Sequence, residues 1–390
     1  MNVDIEFFDE NPMDNVLSCM KFCFSKVIFL GYAEEDMDRA AKSTVTAFLK
    51  SKKIGVKEIE FVPLPEGDLD AIENKLTHIV ECEKAVGNQC YFDLTGGEEL
   101  VLAAAGIVAD KHNIPMHEID LSDDAVRIQA MPELYENLPK RDYRLTIEEY
   151  LNLHEGVIEW QMQKKNNINL DQTDNIERLN ELVKFTTNMG KTWNRLSSGL
   201  ANFFSGQGVI AYRNDDEIGT AAKLAGMSSK QFMEHLRRMY KMNFLKKLEY
   251  ENGIATVMFY NLHERRLLCN AGAILEHNVY WKIREDPEVN DCVIGYHINW
   301  IGDGDPMSIY EPGPNVLNEI DVIYMRKNIP TFVSCKNKLV DSNQPLYELE
   351  TVADRFGGKL VRKVLVAKGG TSPGIALRAK EMGIFIRSSL

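Results

Sequence analysis

Residues 318–338 read NEIDVIYMRKNIPTFVSCKNK, two β-rich runs, Ile320–Arg326 and Thr331–Lys336, around a short polar break. This pattern predicts a β-hairpin turning at Asn328/Ile329 before Pro330. In an antiparallel pair, residues whose numbers share a constant sum face each other, so that turn sets Asp321 opposite Lys336. Side chains alternate along a strand, which puts Glu319 and Asp321 on the face that carries Lys336. Carboxylates of this kind suit a hard divalent cation. A cation beside a lysine suits hydrolysis of a phosphodiester, where negative charge builds up on the phosphoryl oxygens. A bare Asp–Lys cross-strand ion pair is the competing interpretation and contributes roughly 0.2–1 kcal/mol.

The hairpin resembles the core of the PD-(D/E)xK nuclease superfamily, with Asp321 and Lys336 on matching positions. Upstream, Gly272-Ala273-Ile274-Leu275-Glu276 is similar to the Gly-x-Trp-Leu-Glu helix of that superfamily, with Ile274 in place of the tryptophan. The triplet before the lysine is Ser334-Cys335-Lys336, so a serine stands where the family has a carboxylate. Glu319 is the nearest replacement, and Glu348 a second candidate. The resemblance implies Mg²⁺ or Mn²⁺ held by Asp321 and Glu276, with Glu276, Glu319, Asp321 and Lys336 as the catalytic set. Lys336 would position water or stabilise charge.

A chain of 390 residues exceeds the size of one core and predicts two or three domains. No apolar run is long enough for a membrane span and the start, MNVDIEFFDE, is acidic, so a cytoplasmic protein is expected. Seven scattered cysteines without a CxxC pair argue against a disulfide framework or a zinc site. The net charge of −13 is unevenly spread. Residues 1–140 hold 13 Lys+Arg against 27 Asp+Glu, and residues 325–390 hold 12 against 5. A polyanionic substrate is therefore expected near the carboxy-terminal part.

Residues 1–122 alternate strand and helix patterns, which predicts a parallel, doubly wound α/β sheet. Ligands of such sheets sit beyond the carboxyl ends of the strands. Two loops stand there: Asp9-Glu10-Asn11-Pro12-Met13-Asp14-Asn15, and Asp93-Leu94-Thr95-Gly96-Gly97-Glu98 ahead of an alanine-rich helix. Glycines let a backbone approach a ligand, and helix N–H groups bind phosphate. Neither loop is a dinucleotide fingerprint or a P-loop.

With this strand order, Asp-x-Thr-Gly-Gly resembles the CARF domains, Rossmann-like sensors of cyclic oligoadenylates in CRISPR-associated proteins. The resemblance implies a homodimer holding cyclic tetra-adenylate through Asn11, Pro12, Asp14, Asn15, Thr95, Gly96, Gly97 and Glu98.

Between these parts, Thr146–Gln163 is predicted as a linker helix, and residues 166–174 as a polar break. Glu177–Phe204 is predicted as a helical stretch. Asp216–Gly226, Ser229–Met242 and Thr256–Tyr260 are similar to a winged helix-turn-helix. The expected plan is α/β: a Rossmann-like CARF sensor (1–140), a helical and winged-helix-like spacer (141–262), and a PD-(D/E)xK restriction-endonuclease-like α/β domain (263–390). It resembles the cyclic-oligoadenylate-activated DNases and RNases of type III CRISPR defence. Two alternatives are a ligand-controlled nucleic-acid-binding regulator with a degenerate nuclease domain, and a sensor that cleaves its own ligand.

Overall fold

The structure, a computed structural model, describes residues 1–32, 39–122, 125–158, 174–300 and 318–388. Most of the polar break and the end of the predicted linker helix lie outside them.

The first sheet contains β1 (Asn2–Phe7), β2 (Lys26–Gly31), β3 (Glu58–Pro63), β4 (Gln89–Asp93), β5 (Met116–Asp120) and β6 (Ala125–Ala130). Its order is β3-β2-β1-β4-β5-β6, with β1 to β5 parallel. The order reverses between β1 and β4, so the loops leaving these strands part and open a crevice at their carboxyl ends. Alternation sends Val3 and Ile5 into a core with Ile72 and Leu76 of the helix Leu69–Ala85 and Val101 and Ala104 of the helix Glu99–His112. On the opposite face Phe8, Phe29 and Phe61 pack ring to ring at 5.1–5.5 Å. Strand β6 was not expected. It pairs antiparallel with β5, and its outward residues are polar enough to read as loop.

The predicted linker helix is shorter than expected. A capping box between Thr146 and Glu149 starts it, but it spans only Ile147–Leu153. Glu155 then turns left-handed (φ 61°) and the chain enters β7 (Gly156–Ile158). Strand β7 pairs with a later strand, placing Ile158 beside Ile298. The tertiary partner overrode the local helical pattern.

Glu177–Phe204 is two helices, Asp174–Met189 and Lys191–Phe203, because Gly190 breaks them at φ 56°. A winged helix follows: β8 (Ile210–Asn214), the helices Asp215–Leu224 and Ser229–Lys241, then β9 (Lys247–Glu251) and β10 (Ile254–Met258), in the order β8-β10-β9. Asn214 and Ser228 each close a capping box. Trp193, Phe203, Phe204, Phe232 and Phe259 fill its core.

The rest comprises the helices Leu262–Cys269 and Ala273–Arg284, β11 (Val289–Trp300), β12 (Asn318–Arg326), β13 (Ile329–Lys336), the helix Gln344–Phe356, β14 (Arg362–Ala367), the helix Pro373–Glu381 and β15 (Ile384–Arg387). These strands and β7 form a second six-stranded sheet in the order β15-β14-β13-β12-β11-β7. The chain splits into two compact units that do not follow its linear order. One contains Met1–Trp160, Pro287–Phe332 and Tyr347–Lys363; the other contains Gln161–Asp286, Val333–Leu346 and Val364–Leu390.

The hairpin exists, but its turn lies one residue earlier than expected. Lys327 (φ 52°) and Asn328 (φ 63°) form it, the two left-handed residues of a type I′ turn. Asn328 is fully buried: its side chain accepts from Leu145 N at 2.8 Å and donates to Tyr143 O at 3.3 Å. These bonds anchor the turn at Asn328, and Pro330 falls inside β13. The predicted turn at Asn328/Ile329 is thus corrected to Lys327/Asn328.

Candidate functional site

The crevice of the first sheet is organised by Asp9. Its N–H donates to Asn15 Oδ1 (2.7 Å), its carbonyl accepts from Asn15 Nδ2 (2.8 Å), and its Oδ1 accepts from the Asn11 N–H (2.8 Å). Its Oδ2 accepts a long bond from the Gly97 N–H (3.4 Å), joining the loop after β1 to the loop after β4. The junction leaves tight room for a side chain at Gly96 and none at Gly97. A Cβ on Gly96 would lie 3.1 Å from Asp9 Cβ and 3.2 Å from Asp14 Cβ, and one on Gly97, whose φ is 120°, would lie 2.9 Å from Phe7 Cβ.

The expected ligand residues divide by what they do. Asn15 is fully buried and both ends of its amide are used on Asp9, so it scaffolds the loop. Thr95 is similarly committed: its N–H and hydroxyl both donate to Asp93 Oδ1, and its Oγ1 accepts from Ile119 N at 2.9 Å. Pro12 is buried, while Asn11, Asp14, Gly96 and Gly97 are half-buried and Glu98 is exposed at the N-cap of the helix Glu99–His112. Asn11 Oδ1 is buried and has no hydrogen-bond partner.

Lys359 was not anticipated. It follows the helix Gln344–Phe356, and its ammonium lies 3.0 Å from Asp14 Oδ2 and 3.3 Å from Asp9 Oδ1. Burial pulls its pKa down, but the bond to Asp14 and the charges of Asp14 and Asp9 outweigh burial and raise it. Burial raises Asp14, against the pull of Lys359. No local pattern reveals this contact, because Lys359 is some 345 positions from Asp14 in the chain. A cleft of about 390 Å³ opens beside it, lined by Asp9, Glu10, Pro12, His154 and Arg355 among others. Burial holds His154 down at about 4, so it is neutral, and Arg355 pairs with Glu155 at 3.3 Å.

Within the second sheet, Asp321 is half-buried on β12 between Ile320 and Val322, which point into the core. Glu319 is exposed, with its carboxylate 3.8 Å from Nε2 of the buried His297 across β11. Glu348 is exposed on the helix Gln344–Phe356. Ser334 and Lys336 are half-buried, and the Lys336 carbonyl accepts from Lys368 N at 3.0 Å. Glu276 sits half-buried in the first turn of the helix Ala273–Arg284, its carboxylate folded over Gly272, where a Cβ would meet Oε1 at 3.0 Å. Asn337 joins two of these parts. Its Nδ2 donates to Ala271 O (2.8 Å) and Asn194 Oδ1 (2.9 Å), tying the residue after Lys336 to the start of the helix that carries Glu276.

Half-exposed carboxylates with lysine nearby can bind a hydrated divalent ion and stabilise a phosphorane-like charge. Residues 262–389 match the family model of the Card1-like endonuclease domain. Over those residues the chain is similar to that endonuclease domain. It is 21% identical to protein VC1899 from Vibrio cholerae over 99% of this chain and 93% of that one, with a TM-score of 0.70. Can2 from Sulfobacillus thermosulfidooxidans, solved in complex with cyclic tetra-adenylate, is 15% identical over 100% of this chain and 96% of that one, with a TM-score of 0.65. No match was found among curated proteins. The α/β fold expected from the sequence is shared with VC1899 and Can2. Among the described residues no helix is long and apolar enough to cross a membrane.

Proposed function

We propose that this protein is a cytoplasmic, metal-dependent nuclease of type III CRISPR antiviral defence, activated by cyclic tetra-adenylate bound at the crevice of its first sheet. The observation that carries this is one chain with both an endonuclease domain and a glycine-lined crevice at the switch point of a doubly wound sheet. Can2, with the same fold, was solved with that ligand. The proposed division is sensor 1–140, spacer 141–262 and nuclease 263–390, paired as a homodimer so that a two-fold-symmetric ring meets two crevices.

In the nuclease, Asp321 and Glu276 would hold Mg²⁺ or Mn²⁺; their hard oxygen donors and partial exposure suit a hydrated ion. When bound, the ion polarises a phosphoryl oxygen and lowers the pKa of water. Lys336 places its ammonium where charge develops on the phosphate. Glu319, exposed beside His297, supplies the carboxylate that Ser334 lacks.

The crevice faces an anionic ligand with Asp9, Asp14 and Glu98, which is electrostatically unfavourable without a cation. Lys359 supplies one, and arriving phosphates compete with Asp9 and Asp14 for it. Lys359→Gln is expected to weaken cyclic tetra-adenylate binding at least about tenfold by calorimetry. Because the side chain is 62% exposed, unfolding free energy should change by less than about 1 kcal/mol. Unchanged affinity would reduce Lys359 to a surface ion pair.

The test of the whole proposal is cleavage of labelled single- and double-stranded DNA and RNA with Mn²⁺, with and without cyclic tetra-adenylate. Cleavage is expected only when ligand and metal are both present. Equal rates without the ligand would remove the sensor from the mechanism. The winged helix presents Arg237, Arg238 and Lys241 exposed on the helix Ser229–Lys241, which favours nucleic-acid binding as a second reading. Sequence-specific DNA binding without any cleavage would support that alternative.

A further inference from the structure

The first sheet buries a line of ionisable side chains that the ligand crevice does not use. Parallel pairing sets Asp4 beside Tyr91 and Asp93 beside His117. With side chains alternating along each strand, Asp4, Glu6, Asp93 and His117 share one face, opposite the apolar face of Val3 and Ile5. Asp4 and His117 are fully buried, and Glu6 and Asp93 are each 4% exposed.

Among the described residues, neither oxygen of Asp4 has a hydrogen-bond partner, nor has Glu6 Oε1 or Asp93 Oδ2, while Asp93 Oδ1 is used by Thr95. The nearby cations are used elsewhere: Arg141 donates to Cys19 O (2.7 Å) and Ile54 O (2.8 Å), and Lys26 is held by Glu60 and Glu83 at 2.8 and 2.7 Å. An unpaired buried carboxylate costs several kcal/mol, so such groups either keep a proton or take a cation. Without a cation, burial and then the charge of Asp93 raise Asp4, with Ser18 opposing; burial and then Asp4 raise Glu6.

The geometry favours the cation. One ligand atom each from Asp4, Asp93 and His117 lie within 4.8 Å of one another, close enough to share an ion. Two carboxylates and one imidazole form a mixed oxygen and nitrogen set, which suits Mn²⁺ or Zn²⁺ better than Mg²⁺ or Ca²⁺. The outer contacts are also in place. His117 Nδ1 lies 2.9 Å from the Tyr135 hydroxyl, which can take its N–H and leave Nε2 as the donor atom. Nε2 is 3.8 Å from Asp93 Oδ2 and 2.8 Å from Ser18 Oγ, whose hydroxyl can turn to a carboxylate.

We propose that Asp4, Asp93 and His117 form a buried site for one divalent transition cation, separate from the nuclease site. Its place gives it a consequence. Asp93 Oδ1 accepts from the Thr95 N–H and hydroxyl, and Oδ2 faces the proposed ion. The ion would thereby brace the loop that carries Gly96 and Gly97 from below.

The test uses the full chain with Asp321→Ala and Glu276→Gln, so that the nuclease carboxylates contribute no site. After equilibrium dialysis against Mn²⁺ or Zn²⁺, one ion per chain is expected. With Mn²⁺, pulsed electron paramagnetic resonance should show a nitrogen coupling. Adding Asp4→Asn, a near-isosteric change whose fold is checked by circular dichroism, should lower metal affinity at least about tenfold. Adding His117→Gln should remove the nitrogen coupling. Absence of stoichiometric metal in the starting variant would overturn the proposal and leave these carboxyls protonated. Equal binding after Asp4→Asn would overturn it as well.

Discussion

Asp321→Ala and Lys336→Ala are each expected to lower nucleic-acid cleavage by at least about 10²–10³-fold, the scale of removing one preorganised charge-stabilising group. Both side chains are half-buried on one face of the β12–β13 hairpin, and neither belongs to the apolar core beneath it. The variants should therefore fold, and cyclic tetra-adenylate should bind them as it binds the parent. A gel assay with labelled substrate, Mn²⁺ and ligand reads the first outcome, and calorimetry reads the second. The two differ in kind. Asp321→Asn keeps the shape and removes the charge, so excess Mn²⁺ should restore part of its activity, whereas no metal concentration should restore Lys336→Ala. Retained cleavage in Lys336→Ala would show that the hairpin is only a structural element. Glu319→Gln and Glu348→Gln tell which carboxylate does the work expected at Ser334; alternation along β12, which sets Glu319 on the face of Asp321, favours a loss in the first and none in the second.

Gly97→Ala should disable the sensor while sparing the nuclease site. The backbone there has φ 120°, and a Cβ would lie 2.9 Å from Phe7 Cβ at the end of β1. Holding a side chain in such a conformation costs about 1–3 kcal/mol. The loop can relieve that strain only by moving away from Asp9, which breaks the junction between the two loops. Ligand affinity is expected to fall at least about tenfold and ligand-stimulated cleavage with it. Gly106→Ala is the control. It lies within the helix Glu99–His112 with nothing within 4 Å of the added methyl, and should stabilise by about 0.5–1 kcal/mol. Wild-type activation in Gly97→Ala would place the ligand elsewhere.

Much of the first sheet and its helices was legible in the sequence. The strand patterns of residues 1–122 reappear as β1 to β5, displaced by at most a residue at their ends, and the helix patterns reappear between them, the first shortened from the expected Met13–Phe22 to Leu17–Lys21 and the second ending at Leu49 rather than Lys52. Each is set by hydrophobic spacing over a few positions, and the two loops follow from glycines and polar clusters at strand ends. The same local signals located the winged helix, where Asn214 and Ser228 cap the two helices. Local signals also misled. Pro330 drew the predicted hairpin turn one residue too late, because the buried bonds of Asn328 to Leu145 and Tyr143 could not be seen from the hairpin alone. The predicted linker helix failed for a related reason: its second half includes an edge strand whose partner, β11, is far along the chain.

By itself the amino-acid sequence determined most of the strands and helices of residues 1–122, the Asp-x-Thr-Gly-Gly loop, and the placing of Asp321 and Lys336 on one hairpin face. These depend on period, turn chemistry and residue type, all of which act over a handful of neighbouring positions. Only the tertiary structure decided that Lys359 reaches Asp9 and Asp14, and that Asp4 and Asp93 meet His117 in the dry interior of the sheet. Those facts rest on strand order and long-range packing. No short stretch encodes such contacts, because each side chain finds its partner only after the sheet has brought distant segments together.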